Sequence, residues 1–267
     1  MLQPFDKLRG CKLAASDGEI GEVSEFYFDD DHWTVRYLVV ETGSWLSGRR
    51  VLIAPNALRE VDAQGGAIAV NLTQEQVRNS PPLESDKPVV RQHEEELHRY
   101  YKRNPYWAPG GTVHGLGIPP TTILRPGAYA GFSESLKSDL PPETSEPKGD
   151  PHLRSSAELL SGYTFHTDDG EIGIAEDFIV DDEDWTVRYF VVRTGVWFFG
   201  KEVLLALDWI EKISLERAAV VVDLPRSAIK EAPEYDSDTP ISRAFEQRLH
   251  DHYGRKRYWD TVETTPE

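Results

Sequence analysis

Two stretches decide the architecture: Trp33-Thr34-Val35-Arg36-Tyr37-Leu38-Val39-Val40 and Trp185-Thr186-Val187-Arg188-Tyr189-Phe190-Val191-Val192. Each is rich in β-branched and aromatic residues, which suits a half-buried pleated strand. They lie 152 residues apart. The same offset relates Asp17-Gly18-Glu19-Ile20-Gly21 to Asp169-Gly170-Glu171-Ile172-Gly173, Trp45 to Trp197, Val51-Leu52 to Val203-Leu204, and Tyr106-Trp107 to Tyr258-Trp259. A period this long is a duplicated domain, since solenoid and propeller repeats run to roughly 20–50 residues. Any function must therefore be read on the module or on the pair.

Outward from these strands, the first copy reads as a series of short strands. They are Cys11 to Ala15, Ile20 to Asp29, Trp33 to Thr42, Arg50 to Ala54, and a hairpin from Leu58 to Asp62 and Ala67 to Leu72. Thr73 is placed to cap a short helix over Gln74 to Asn79. Pro225 stands at the corresponding position of the second copy. Many short strands, frequent turns and no βαβ alternation predict a mainly β fold built from two small β-barrels. Each is followed by a helical tail, Glu94 to Tyr101 and Phe245 to Tyr253, in which Leu97/Leu249, His98/His250 and Tyr101/Tyr253 match. The expected organisation is a first module over residues 1–107, a Gly/Pro-rich linker over 108–155, and a second module over 156–267.

Composition bounds the partners. The 267 residues carry a net charge of −17, which disfavours phosphate backbones and anionic lipid. The cluster Arg248, Arg255, Lys256 and Arg257 is read as a basic helix end. The single cysteine, Cys11, faces Tyr163 in the other copy, so no internal disulfide is expected and a reducing cytoplasm is the expected compartment. No basic-then-apolar leader and no membrane-length apolar run is read in the chain.

The order Asp17 to Gly21, Phe26-Tyr27-Phe28-Asp29, Tyr37 to Val40, the Gly43 to Gly48 loop and Val51 to Leu58, seen again over Asp169 to Ile210, resembles the PRC-barrel domain. That family includes the cytoplasmic part of the photosynthetic reaction-centre H subunit and the C-terminal part of a ribosome maturation factor. The resemblance implies a non-enzymatic barrel that docks on other proteins. No counterpart of the H subunit's transmembrane helix or of the ribosome factor's other domain is expected from this sequence. Leu207-Asp208-Trp209 also departs from Pro55-Asn56-Ala57.

The candidate interaction residues are of three kinds. In the Gly43 to Gly48 loop and its counterpart they are Trp45, Leu46, Trp197, Phe198 and Phe199, large apolar groups typical of interface anchors. On the strand they are Arg36, Leu38, Arg188 and Phe190. The face of Thr34, Arg36, Leu38 and Val40 turns apolar along its length, so something should cover it. The first expectation is the module's own tail or short helix; the alternatives are packing of the two copies as an intramolecular pseudo-dimer, or a partner. In the tails they are Tyr106, Trp107, Tyr258 and Trp259. The acidic turns at Asp29 to His32 and Asp181 to Asp184 lack the spacing of a calcium loop and read as solvated turns. No cofactor, metal or catalytic constellation is expected, so the chain is not expected to be an enzyme.

The leading expectation is a protein-binding adaptor or scaffold. The alternatives are a soluble relative of the H subunit acting peripherally at a membrane electron-transfer complex, and an accessory factor in RNA processing or ribosome maturation.

Overall fold

A computed structural model describes residues 1–29, 32–83, 91–103, 105–106, 153–160, 162–195, 200–214 and 217–262. Trp107, Trp197, Phe198, Phe199 and nearly all of the expected linker lie outside these residues.

Two seven-stranded sheets form the protein. In the first module β1 (Leu2–Pro4) and α1 (Phe5–Leu8) precede β2 (Lys12–Ala15), β3 (Gly18–Asp29), β4 (Val35–Glu41), β5 (Arg50–Ile53), β6 (Leu58–Asp62) and β7 (Ala67–Val70). Then come α2 (Gln74–Arg78) and the tail helix α3 (Arg91–Tyr100). The second module repeats the order: β8 (Leu153–Ser155), α4 (Ser156–Leu160), β9 (Thr164–Thr167), β10 (Gly170–Asp181), β11 (Val187–Thr194), β12 (Glu202–Ala206), β13 (Ile210–Ser214), β14 (Ala219–Val222), α5 (Arg226–Glu231) and α6 (Arg243–Tyr253). The hydrogen-bonded path is β5-β4-β3-β2-β7-β6 in one sheet and β12-β11-β10-β9-β14-β13 in the other. Each path is antiparallel except for its β2–β7 or β9–β14 step. The two ends of each path are not paired, so the ladder is barrel-like but open.

Local chemistry accounts for these elements. Thr73 accepts from the Gln76 amide while the Gln76 side chain accepts from the Thr73 amide, a full capping box on α2. In the second module Ser242 caps α6, and Gly254 ends it in a left-handed conformation at φ 61°. Gly21 and Gly173 sit where β3 and β10 cross their neighbours. A Cβ there would lie 2.0 Å from the Glu41 carbonyl oxygen and 1.9 Å from that of Arg193. The second glycine of each Asp-Gly-Glu-Ile-Gly motif is thus required by close backbone approach.

The seventh strand of each sheet comes from the other module. β1 pairs with β10, Leu2 opposite Asp181 and Pro4 opposite Ile179. β8, at the end of the segment read as linker, pairs with β3, Leu153 opposite Asp29 and Ser155 opposite Tyr27. In each case β2 or β9 covers only the first part of the twelve-residue strand, and the exchanged strand occupies the exposed remainder of that edge. The offset here is 151, because α4 holds five residues where α1 holds four.

One apolar core runs through both modules. Phe5 stacks on Phe26 at 4.3 Å and touches Phe178 at 5.5 Å, while Trp33 meets Phe190 edge-on at 5.3 Å. A smaller cluster joins Tyr37, Val39 and Leu52 to Leu83, Leu97 and Leu153. This corrects the expected covering of β4. The tail helix covers Tyr37 and Val39, whereas Leu38 and Val40 point into the main core. A period of two separates faces but does not say which one a helix covers.

Candidate functional site

Two polar constellations recur with identical spacing, one under each tail helix. In the first module the Tyr37 hydroxyl donates to Glu94 Oε1 at 3.1 Å and lies 3.1 Å from His98 Nε2. Tyr106 donates to the same Glu94 oxygen at 3.0 Å, and the Arg36 guanidinium lies 4.0 Å from the Tyr106 ring centre. In the second module Tyr189 donates to Glu246 at 2.9 Å and lies 3.1 Å from His250 Nε2. Tyr258 donates to Glu246 at 3.0 Å, with Arg188 over its ring at 4.5 Å. A sixth member, Arg243, pairs with Glu246 at 2.8 Å and lies 4.2 Å from the Trp259 ring.

Strand β4 or β11 supplies the first tyrosine, the tail helix supplies Glu and His one turn apart, and the segment after the helix supplies the second tyrosine. Glu and His at i and i+4 share one helix face, so both can reach one hydroxyl. Burial and the Glu246 charge both push Tyr189 far above an ordinary phenol, so it stays protonated. His250 Nδ1 lies 2.8 Å from the Lys256 carbonyl, which only accepts, so this nitrogen carries a proton. If Tyr189 donates to Glu246, His250 Nε2 must donate to Tyr189 and the ring is an imidazolium. A neutral ring instead takes the Tyr189 proton. Burial lowers the His250 pKa and favours the neutral form, while the backbone carbonyl partners oppose that.

The two arrangements differ by one proton, and the Tyr189 hydroxyl turns from His250 to Glu246 as the ring takes it up. Glu246 and His250 are each 2% exposed and Tyr189 is fully buried, so a substrate does not reach them in this conformation. What the cluster does in the fold is fasten each tail helix to its own sheet through buried Tyr, Glu and His groups.

The acidic turns are less solvated than expected. Asp29 is buried, receives Arg36 Nε at 2.6 Å and accepts from the His32 amide at 2.6 Å. Burial opposes its ionisation, but the His32 hydrogen bonds and the Arg36 charge outweigh this and hold the carboxyl below its usual range. Arg188 pairs with Asp184 and lies 3.6 Å from Asp181. Arg36 and Arg188 are thus internal ion-pair and stacking partners. Leu38 and Phe190 are fully buried core residues, out of reach of an external partner. In the basic cluster at the end of α6, Arg255 pairs with Asp223 and Arg257 with Asp251.

The Gly43 loop differs. Gly43–Leu46 forms a turn of 3₁₀ helix that leaves Trp45 and Leu46 half-buried. The Trp45 indole N–H donates to the Ile20 carbonyl, and the Arg78 guanidinium lies 5.7 Å from its ring. Trp45 walls a cavity of about 380 Å³ together with Glu19, Glu22, Glu41 and the backbone of Gly21 and Gly48. Of the sequence-derived candidates, Tyr106, Tyr258 and Trp259 join the tail clusters, Trp45 and Leu46 stay at the surface, and Trp107 and Trp197 to Phe199 lie outside the described residues. Sequence reading missed Tyr37, Tyr189, Glu94 and Glu246 as a site. The signal was present in the repeated 57-residue interval from each tyrosine to its glutamate.

The PRC-barrel domain model matches residues 4–77 and again 165–229, more than half of the chain. The chain belongs to the PRC-barrel family. This PRC-barrel protein carries the domain twice, and both matches coincide with the duplicated sheets. No curated protein matches it in sequence. Among the described residues no helix is long and apolar enough to cross a membrane, and no group of His, Cys, Asp and Glu is arranged to hold a metal ion.

Proposed function

We propose that this tandem PRC-barrel protein is a non-enzymatic adaptor or scaffold that docks a partner protein at the Trp45 rim. The observation that carries this reading is the division of labour among its aromatic residues. The contact between modules takes up Trp33, Phe178 and Phe190, and the tail clusters take up Tyr106 and Tyr258. Trp45 remains half-buried at a cavity mouth, with its N–H already tethered to Ile20. A pre-positioned indole loses little freedom on binding and suits an interface anchor. The carboxylates of Glu19, Glu22 and Glu41 around it favour a basic segment of the partner.

The test is cross-linking and affinity capture from native lysate with wild type, Trp45→Ala and Glu22→Lys/Glu41→Lys, after circular dichroism shows that all three are folded. A specific partner captured by wild type and lost in both variants is the expected result. A partner retained by both variants would overturn the assignment to this rim.

A further inference from the structure

A second cavity, of about 320 Å³, lies on the seam between the modules, where Pro4, Asp6 and Lys7 of α1 and its lead-in meet Asp177, Arg193 and Tyr235 of the second module. Asp177 and Tyr235 are each 6% exposed. Asp177 Oδ1 and the Tyr235 hydroxyl are buried and have no hydrogen-bond partner. Asp177 Oδ2 accepts from the Asp6 amide at 3.2 Å, but among the described residues Asp177 forms no ion pair. The other charged groups lining the cavity are paired: Asp6 with Arg9 at 3.1 Å, Lys7 with Asp238 at 3.3 Å, and Arg193 with Glu176 at 2.9 Å and Glu202 at 3.6 Å.

The first module shows what this position requires. Its counterpart of Asp177 is Glu25, presented by an equivalent register shift, between Val23 and Glu25 in β3 and between Ala175 and Asp177 in β10. Glu25 is satisfied twice, by Arg50 at 2.8 Å and by the Ser155 hydroxyl of the exchanged strand. In the second module Glu202 stands where Arg50 does, and Pro4 where Ser155 does. Neither side chain can donate a hydrogen bond. Tyr235 replaces the apolar Leu83, adding a second polar group beside the carboxylate. The duplication has kept the acid and removed both of its partners. Burying a carboxylate this way is unfavourable unless a cation joins it, so a cation from outside the chain is bound with matching advantage.

We propose that this seam cavity binds a small primary ammonium ligand, whose N–H groups reach Asp177 Oδ1 and the Tyr235 hydroxyl. An ammonium group fits better than a divalent metal, because the described carboxylates do not converge as a ligand set. It also supplies several donors at one point, as the Arg50 guanidinium and Ser155 hydroxyl do together in the first module. Burial and the charge of Asp6 push the Asp177 carboxyl up to about 7, as expected for an acid short of a cation.

The experiment is calorimetric titration of the full chain at pH 8 with 1,4-diaminobutane, and with butan-1-ol as the neutral control. Saturable 1:1 binding of the amine and none of the alcohol is expected. Asp177→Asn should weaken binding at least tenfold. The double variant Arg193→Glu/Glu202→Arg, which restores the order of Glu41 opposite Arg50 found in the first module, should do the same, with its circular dichroism and thermal midpoint showing that the loss of binding is not misfolding. Trp45→Ala should bind as wild type. Absence of saturable amine binding to wild type, equal binding of the alcohol, or binding unchanged in both seam variants would overturn the proposal.

Discussion

Thr34 pairs with Thr186, its own counterpart in the second module. Val35 N–H donates to the Trp185 carbonyl at 2.8 Å and Val187 N–H donates to the Trp33 carbonyl at 2.8 Å. A residue that meets its own equivalent lies on a local two-fold axis, the signature of an isologous contact. Trp33 and Trp185 on either side have positive φ, 53° and 58°, a conformation that bulky residues seldom adopt. Each is held there on both sides, its N–H donating within its own turn to Asp29 or Asp181 and its carbonyl accepting from the other module.

Because the core is continuous across this axis, the modules are expected to unfold together. Phe190→Ala should cost about 3–5 kcal/mol, the usual range for a buried phenylalanine. The denaturation midpoints reported by tryptophan fluorescence and by far-ultraviolet circular dichroism should fall together. Two separated transitions in the wild type would contradict a shared core.

The first module alone, Met1 to Trp107, lacks β8 and the side chains that cover Phe26, Phe28 and Trp33, all at most 1% exposed in the full chain. In a second copy Leu2–Pro4 can take the place of Leu153–Ser155 on the free edge of β3. Sedimentation velocity should therefore find a dimer at micromolar concentration. A stable monomer under those conditions would count against the exchange as a requirement for folding.

Glu246→Ala removes the buried acceptor shared by the Tyr189 and Tyr258 hydroxyls and the ion-pair partner of Arg243. A loss of about 3 kcal/mol is expected, with fast hydrogen exchange appearing first in α6.

The same cluster predicts a pH response. His250 titrates below its unfolded value of 6.5, so the unfolded chain takes up this proton first. This contribution to stability is full above pH 6.5 and is lost as pH falls through the folded-state pKa. Denaturation midpoints should decline over that window, and His250→Gln should flatten the decline. An unchanged slope in the variant would remove His250 as its source.

Gly173→Ala drives a Cβ against the Arg193 carbonyl. Overpacking of this kind costs roughly 1–3 kcal/mol, whereas Gly254→Ala, with open space around it, should show only the smaller cost of a left-handed alanine. Comparable thermal shifts in the two variants would argue against close approach as the reason for Gly173.

Sequence alone determined the duplication, the family resemblance and nearly every strand, because these rest on local pattern: β-branched runs, Asp-Gly turns, the Thr73 cap and an offset repeated without a gap. It also identified His98, His250, Tyr106 and Tyr258 as matched tail residues. Tertiary structure decided what those residues touch. Which face of β4 is the interior depends on which neighbour arrives, and the alternation of Leu38 with Val39 is silent on that. The terminal strand Leu2–Pro4 carries no mark of the sheet it joins, because backbone hydrogen bonds are indifferent to the chain segment that supplies them. Asp177 and Glu25 look alike as acids on equivalent strands. Only the folded neighbourhood, with Arg50 and Ser155 on one side and Glu202 and Pro4 on the other, makes one a closed ion pair and leaves the other a buried carboxylate with one oxygen unpaired.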